Sequence, residues 1–123
     1  MQHTDDGVLA KVNRGCDTAD AVRAIRRLKD AAFKVDVHLM PNLPGADVET
    51  DRAMFERVLG DEALQADQWK IYPCEVTPWT VIKRWHEEGT YVPYGEIELA
   101  ELLAEIKPTV HPWIRLNRVV RDI

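Results

Sequence analysis

Lys70 and Tyr72 stand two residues apart in the short run Trp69-Lys70-Ile71-Tyr72-Pro73. On a strand, that spacing places a cation and a phenol on one face and Trp69 with Ile71 on the other. A cation beside a phenol at a strand end suits the grip of a phosphate and a base. The same spacing also suits a solvated lysine next to a packed tyrosine whose hydroxyl is bonded within the fold. A second candidate is His38-Leu39-Met40-Pro41-Asn42-Leu43-Pro44-Gly45. It sets a histidine at the end of an apolar strand and follows it with a rigid turn. That pattern fits the mouth of an α/β fold, where ligands sit outside the carboxyl ends of the strands. His38 can bond a ligand or move a proton there. It can equally be a hydrogen-bonded structural residue, with the two prolines only stiffening a connection.

Arg115, Arg118 and Arg121 recur every three residues. On a regular strand that spacing alternates faces, so the three cannot form a single stripe. Some of them can bind nucleic-acid phosphate while others make ordinary surface pairs. Asn13-Arg14-Gly15 either offers backbone donors to an anion at a helix start or is a plain entry turn. Cys16 and Cys74 lie far apart, in no Cys-x-x-Cys or Cys/His cluster, which argues against a disulfide framework or a zinc site. Trp69, Trp79, Trp85 and Trp113 fall on separate elements and read as core and interface anchors. No phosphate-binding glycine loop, nucleophile triad or paired-carboxylate motif is present.

The elements that must carry these residues follow from periodicity. Asp17 or Thr18 caps a helix whose Ala21, Val22, Ile25 and Leu28 recur at helical spacing to about Ala32. Residues 33–40 alternate as a strand, with Phe33, Val35, Val37 and Leu39 to one side. Thr50 or Asp51 opens a helix carrying Met54, Phe55, Val58 and Leu59, which Gly60 is placed to stop. Residues 69–73 form a short strand. Thr77 caps the next helix with Pro78 in its first turn, and Gly89 closes it. Residues 96–106 form a helix with Ile97, Leu99, Leu102, Leu103 and Ile106 apolar, ended by Pro108, and residues 113–120 form a last strand.

Strands alternating with helices imply an α/β fold with parallel pairing. Only two complete crossovers fit, leaving an open sheet edge. The expected architecture is therefore a parallel-strand fragment of a larger barrel or sheet. The 123 residues, 46% hydrophobic and 30% charged, suit one soluble globular region. A formal net charge of -5 argues against a protein that coats nucleic acid wholesale, but leaves room for a local basic strip. No apolar run approaches the ~20 residues of a membrane helix. The polar, acidic start Met1-Gln2-His3-Thr4-Asp5-Asp6 does not resemble a secretory signal. A reducing, intracellular setting follows from the cysteine usage.

Four blocks in order resemble the radical S-adenosylmethionine region of the catalytic subunit of Elongator, the elongator protein three family. They are Val12-Asn13-Arg14-Gly15, Phe33-Lys34-Val35 through Gly45, Lys70-Ile71-Tyr72-Pro73, and Pro112-Trp113-Ile114-Arg115 with Arg118-Val119-Val120-Arg121-Asp122-Ile123. Gly89 to Tyr94 matches the family's Gly-x-Tyr-x-x-Tyr connector. The resemblance implies the C-terminal half of a partial (β/α) barrel of radical S-adenosylmethionine type, with 1–73 as the last barrel units and 74–123 as a C-terminal helical and strand extension. It implies modification of the wobble uridine of tRNA at its fifth carbon. The implied cofactors are S-adenosylmethionine and a 4Fe-4S cluster, with acetyl-CoA as a family substrate. Implied partners are tRNA and other Elongator subunits, with no DNA and no membrane. The implied place is cytoplasmic, or nuclear.

By the same resemblance, His38, Met40 and Pro41 stand at the barrel mouth near the S-adenosylmethionine or uridine pocket. Lys70 and Tyr72 face that cavity, and Arg115 and Arg118 continue a basic surface toward the RNA. No covalent catalytic role and no metal ligand transfers to any residue here. The family's cluster cysteines lie upstream of the matched region, and Cys16 and Cys74 do not substitute for them. The stretch Glu75-Val76-Thr77-Pro78-Trp79 departs from the commoner family version. The expectation is a fragment or truncated gene product of an Elongator-like tRNA uridine acetyltransferase, inactive alone. The alternatives are a non-catalytic RNA-binding or assembly piece and a different radical enzyme sharing the barrel half.

Overall fold

The computed structural model describes residues 1–119; Val120, Arg121, Asp122 and Ile123 lie outside the described residues, and with them the expected third arginine of the repeat. Seven helical and strand elements match the expected order, and one α-helix among the described residues was not foreseen. That helix, α1 (Asp6–Lys11), opens with the Asp5 carboxylate accepting the Val8 N–H and buries Val8 and Leu9. Asn13, in the left-handed region at φ 54, follows its end. The Asn13 and Arg14 N–H groups donate back to Ala10 and Leu9. The Asn13 and Arg14 donors are thus spent closing α1, so they do not face an anion at the next helix.

Helix α2 (Thr18–Asp30) starts at a reciprocal capping box between Asp17 and Asp20. Strand β1 (Asp36–Leu39) is shorter than the expected 33–40. Ala32 is left-handed at φ 62, and the Phe33 N–H is used to close α2, so Phe33 ends exposed. Val35 still joins the core. Helix α3 (Val48–Gly60) begins earlier than expected because Asp47 caps it by accepting the Thr50 N–H; Gly60 lies within it and Asp61 follows as its cap. Strand β2 (Gln68–Ile71) comes next.

The expected cap at Thr77 is corrected to Thr80. Trp79 sits at φ 65, a conformation no right-handed helix passes through. Helix α4 (Val81–Glu87) therefore starts after it, with the Thr80 hydroxyl accepting the Lys83 N–H and donating to the Thr77 carbonyl. Helix α5 (Glu96–Ile106) matches its expected span, burying Leu99, Leu102 and Ile106 while Ile97 faces out. Strand β3 (Arg115–Val119) begins two residues later than expected.

The three strands form one parallel sheet in the order β1-β2-β3. Its apolar face carries Val37, Leu39, Trp69 and Ile71, which share a core with Met54, Phe55 and Val58 of α3, Leu102 and Ile106 of α5, and Ile25 of α2. Phe55 and Trp69 rings lie 6.3 Å apart at its centre. One core thus joins residues on both sides of position 73. No helix among the described residues is long and apolar enough to cross a membrane.

The left-handed Trp79 is wholly exposed, so its side chain returns no packing for the backbone strain. Trp79→Gly is expected to raise stability by roughly 0.5–1 kcal/mol in a denaturant melt. A loss of stability would show that the indole makes a contact worth more than that strain.

Candidate active-site face and its buried anchor

A purely parallel sheet ordinarily carries apolar residues on both faces because helices cover both. This one does not. Strand alternation sends Asp36 and His38 of β1, and Gln68 and Lys70 of β2, to the face opposite the core. Parallel register brings paired residues to one side, so Arg115, opposite Gln68, and Arg118, opposite Lys70, join them. Trp69 pairs with Leu116 but Lys70 pairs with Arg118, so Asn117 is an extra residue, a bulge in β3. The bulge overturns the expectation that Arg115 and Arg118 must alternate faces. They form a stripe because the strand is not regular between them.

The side chains on this face touch. Lys70 Nζ lies 3.4 Å from Asp36 Oδ2, and that carboxylate also accepts from Asn117 Nδ2 at 3.2 Å. Arg118 Nη1 donates to Tyr72 Oη at 2.7 Å. The Tyr72 ring stands edge-on to His38 with centroids 4.7 Å apart. Burial, and next the neighbouring Lys70 cation, hold the His38 imidazole below its usual 6.5. His38 Nε2 is buried with no hydrogen-bond partner in the described structure. Among the described residues the face thus carries a neutral imidazole, a phenol, three cations and one carboxylate, with His38, Lys70, Tyr72 and Arg118 toward the carboxyl ends of the strands and Asp36 and Arg115 at their amino ends.

Met40 and Pro41 stand at the end of β1 beside this face. Met40 donates its N–H to Gln2 and leans on the small cluster of Val8, Leu43 and Cys74. Pro41 is buried and its carbonyl accepts the Cys74 N–H. Cys74 is buried, and burial pushes its thiol up; Cys16 is exposed. Among the described residues no group of three or more His, Cys, Asp or Glu side chains could hold a metal ion.

What fixes the strand-end loop is a buried carboxylate that sequence reasoning took for a helix opener. Asp51 and His3 are both fully buried, with His3 Nε2 2.9 Å from Asp51 Oδ1. The Asp5 N–H donates to His3 Nδ1, so Nε2 carries the proton donated to Asp51. The other carboxylate oxygen accepts the Asn42 N–H and the Tyr94 hydroxyl, each at 2.6 Å. Asn42, left-handed at φ 67, exchanges side-chain bonds with the Tyr94 backbone and accepts the Tyr91 hydroxyl at its carbonyl. Burial first, and then the Asp51 contact, raise the Tyr94 phenol far above its usual range. The Gly-x-Tyr-x-x-Tyr spacing was the signal for this anchor. Nothing in the sequence marked the bulge at Asn117.

Comparison with known proteins agrees with this geometry. Residues 66–123 match the radical SAM C-terminal domain. The tRNA uridine(34) acetyltransferase of Dehalococcoides mccartyi is 37% identical over 123 residues, all of this chain and 27% of the relative. Elongator complex protein 3 of Homo sapiens is 34% identical over 123 residues, all of this chain and 22% of the relative. The archaeal Methanocaldococcus infernus Elp3 with an N-terminal deletion superimposes with a TM-score of 0.93 at 34% identity, covering 99% of this chain and 29% of that one. Along its whole length the chain is similar to the Elongator protein three family. It corresponds to the C-terminal part of the radical SAM domain and spans about a quarter of the length of these relatives.

Two outcomes are expected of the site. Asp51→Ala strands three buried donors, at ~1–3 kcal/mol each, so loss of at least about 3 kcal/mol is expected in a denaturant melt; a loss under 1 kcal/mol would contradict the anchor. His38 is harder to protonate folded than unfolded, so the unfolded chain binds more protons as pH falls below 6.5. Stability should decline from pH 6.5 down to the lowered native value, and His38→Gln should flatten that part of the curve.

Proposed function

We propose that this chain supplies part of the cavity in which an Elongator-type enzyme modifies the wobble uridine of tRNA. The observation that carries the reading is the polar face of a parallel sheet on which His38, Lys70, Tyr72, Arg115 and Arg118 converge, in a chain homologous to tRNA uridine(34) acetyltransferases. In this reading residues 1–73 are barrel units and 74–123 an extension that packs α5 on their apolar side and adds β3 to the sheet. His38, Lys70 and Tyr72 line the cavity, Met40 and Pro41 shape its mouth, and Arg115 and Arg118 continue a basic surface toward the RNA.

Lys70 would hold the carboxylate of S-adenosylmethionine, whose sulfonium would yield a radical only on receiving an electron from an iron–sulfur cluster. The iron–sulfur cluster finds no ligand set among the described residues, so no step is assigned through it here. What this chain does is bind and orient. Lys70 offers a cation whose carboxylate partner Asp36 is shared with Asn117, so a phosphate or carboxylate competes for it on favourable terms. Neutral His38 walls the phenol without adding charge. The anchored loop keeps the strand ends from moving as ligand enters. tRNA, other Elongator subunits and an intracellular site of action belong to this same reading.

The test is nucleoside mass spectrometry on tRNA from cells whose only copy of this protein carries Lys70→Ala. The Lys70–Asp36 pair is partly exposed and contributes at most about 1 kcal/mol, so the fold survives. Carboxymethyl-type modification of the wobble uridine is expected to fall at least tenfold. Wild-type levels would overturn the assignment.

A further inference from the structure

We propose that Tyr72 is an aimed hydrogen-bond donor to a carbonyl or carboxylate oxygen of the bound ligand, and that Arg118 is the positioning residue that aims it. This deepens the cavity reading above and rests on it. A phenol oxygen has one proton to give and two lone pairs to receive. Arg118 Nη1 occupies one lone pair at 2.7 Å. The Tyr72 proton takes no acceptor among the described residues. The hydroxyl must therefore point away from the guanidinium, over the sheet face rather than into the fold. A charged donor on the oxygen also polarises the O–H bond and strengthens it as a donor.

Three features of the fold hold this arrangement. The Tyr72 N–H donates to Leu39, which fixes the residue at the end of β1. The His38 ring stands against the phenol edge at 4.7 Å and limits its rotation. The bulge at Asn117 is the third. Without that extra residue, position 118 would fall on the apolar side of the sheet, and no guanidinium would reach the hydroxyl. Lysine at 118 would keep the charge but lack the planar fork that approaches the oxygen edge-on.

The ligand chemistry is an oxygen acceptor, with two sources: a pyrimidine carbonyl in RNA or the carboxylate of S-adenosylmethionine. The experiment titrates the chain with an anticodon stem–loop RNA bearing uridine at the wobble position and, separately, with S-adenosylmethionine. The variants are Tyr72→Phe, Arg118→Lys, their double combination, and Lys70→Ala. Tyr72→Phe is expected to weaken binding of one ligand about tenfold, the equivalent of ~1.4 kcal/mol. The ligand affected identifies the source, and either supports the proposal. Arg118→Lys should cost a similar factor alone and nothing further on top of Tyr72→Phe, a coupling that a general electrostatic role would not produce.

Wild-type affinity in Tyr72→Phe, with weakening in Lys70→Ala, would overturn the donor and leave the cavity standing. No binding by the wild type, or no loss in any variant, would overturn both. A readout without ligand closes the test: the Tyr72 ring-carbon resonance next to the hydroxyl should move in Arg118→Lys, and an unmoved resonance would remove the proposed contact.

Discussion

The carboxylate of Asp51 holds this structure in the shape its sheet face requires. It is fully buried, and such a group survives only when every oxygen is met by a donor. Here three donors arrive from three separate segments: the N-terminal stretch through His3, the strand-end loop through Asn42, and the connector before α5 through Tyr94. Loops are ordinarily the mobile part of a fold. By converging on one charge that has no alternative partner, these three become a rigid collar around the carboxyl end of β1. The same collar sets where α5 begins, and α5 closes the core over Trp69 and Phe55. The order of the polar face and the packing of the apolar one therefore depend on the same buried oxygen atoms.

The sheet itself is an amphipathic wall. One side is a close-packed core. The other carries His38, Lys70, Tyr72, Arg115 and Arg118, with Asp36 and Asn117 between them. The interactions described across that side are a partly exposed ion pair, worth about 1 kcal/mol or less, and two exposed hydrogen bonds that each involve one charged group. Such contacts keep the side chains ordered yet exchangeable for a ligand's oxygens. The chain's net charge of -5 does not conflict with an anionic ligand, because three cations and one carboxylate make this face locally positive.

Much of the frame was legible because it obeys simple periods. Leu99, Leu102 and Ile106 mark α5, the alternation through Val35, Val37 and Leu39 marks β1, and Trp69 and Ile71 mark β2. The Lys70/Tyr72 spacing placed both side chains on one face without knowledge of the third strand. What was not legible depends on backbone irregularity or on distance in sequence. Trp79 hides a left-handed turn under a residue type that rarely adopts it, which displaced the start of α4. The bulge at Asn117 carries no glycine or proline to announce it, yet it decides which side Arg118 takes. Asp51 reads locally as a helix opener, and its partners lie 48 and 43 residues away. Only the paired tyrosines of the connector hinted that something buried was waiting for their hydroxyls.

The proposed meeting place for a tRNA anticodon loop is the polar side of this sheet and not its helical back. The most direct measurement is a map of backbone and side-chain resonance perturbations as an anticodon stem–loop RNA is added to the isotopically labelled protein. The changes are expected to concentrate on Asp36, His38, Lys70, Tyr72, Arg115 and Arg118 and to fade with added salt. Perturbations centred on α2, α3 or α5, with those six residues unmoved, would contradict it.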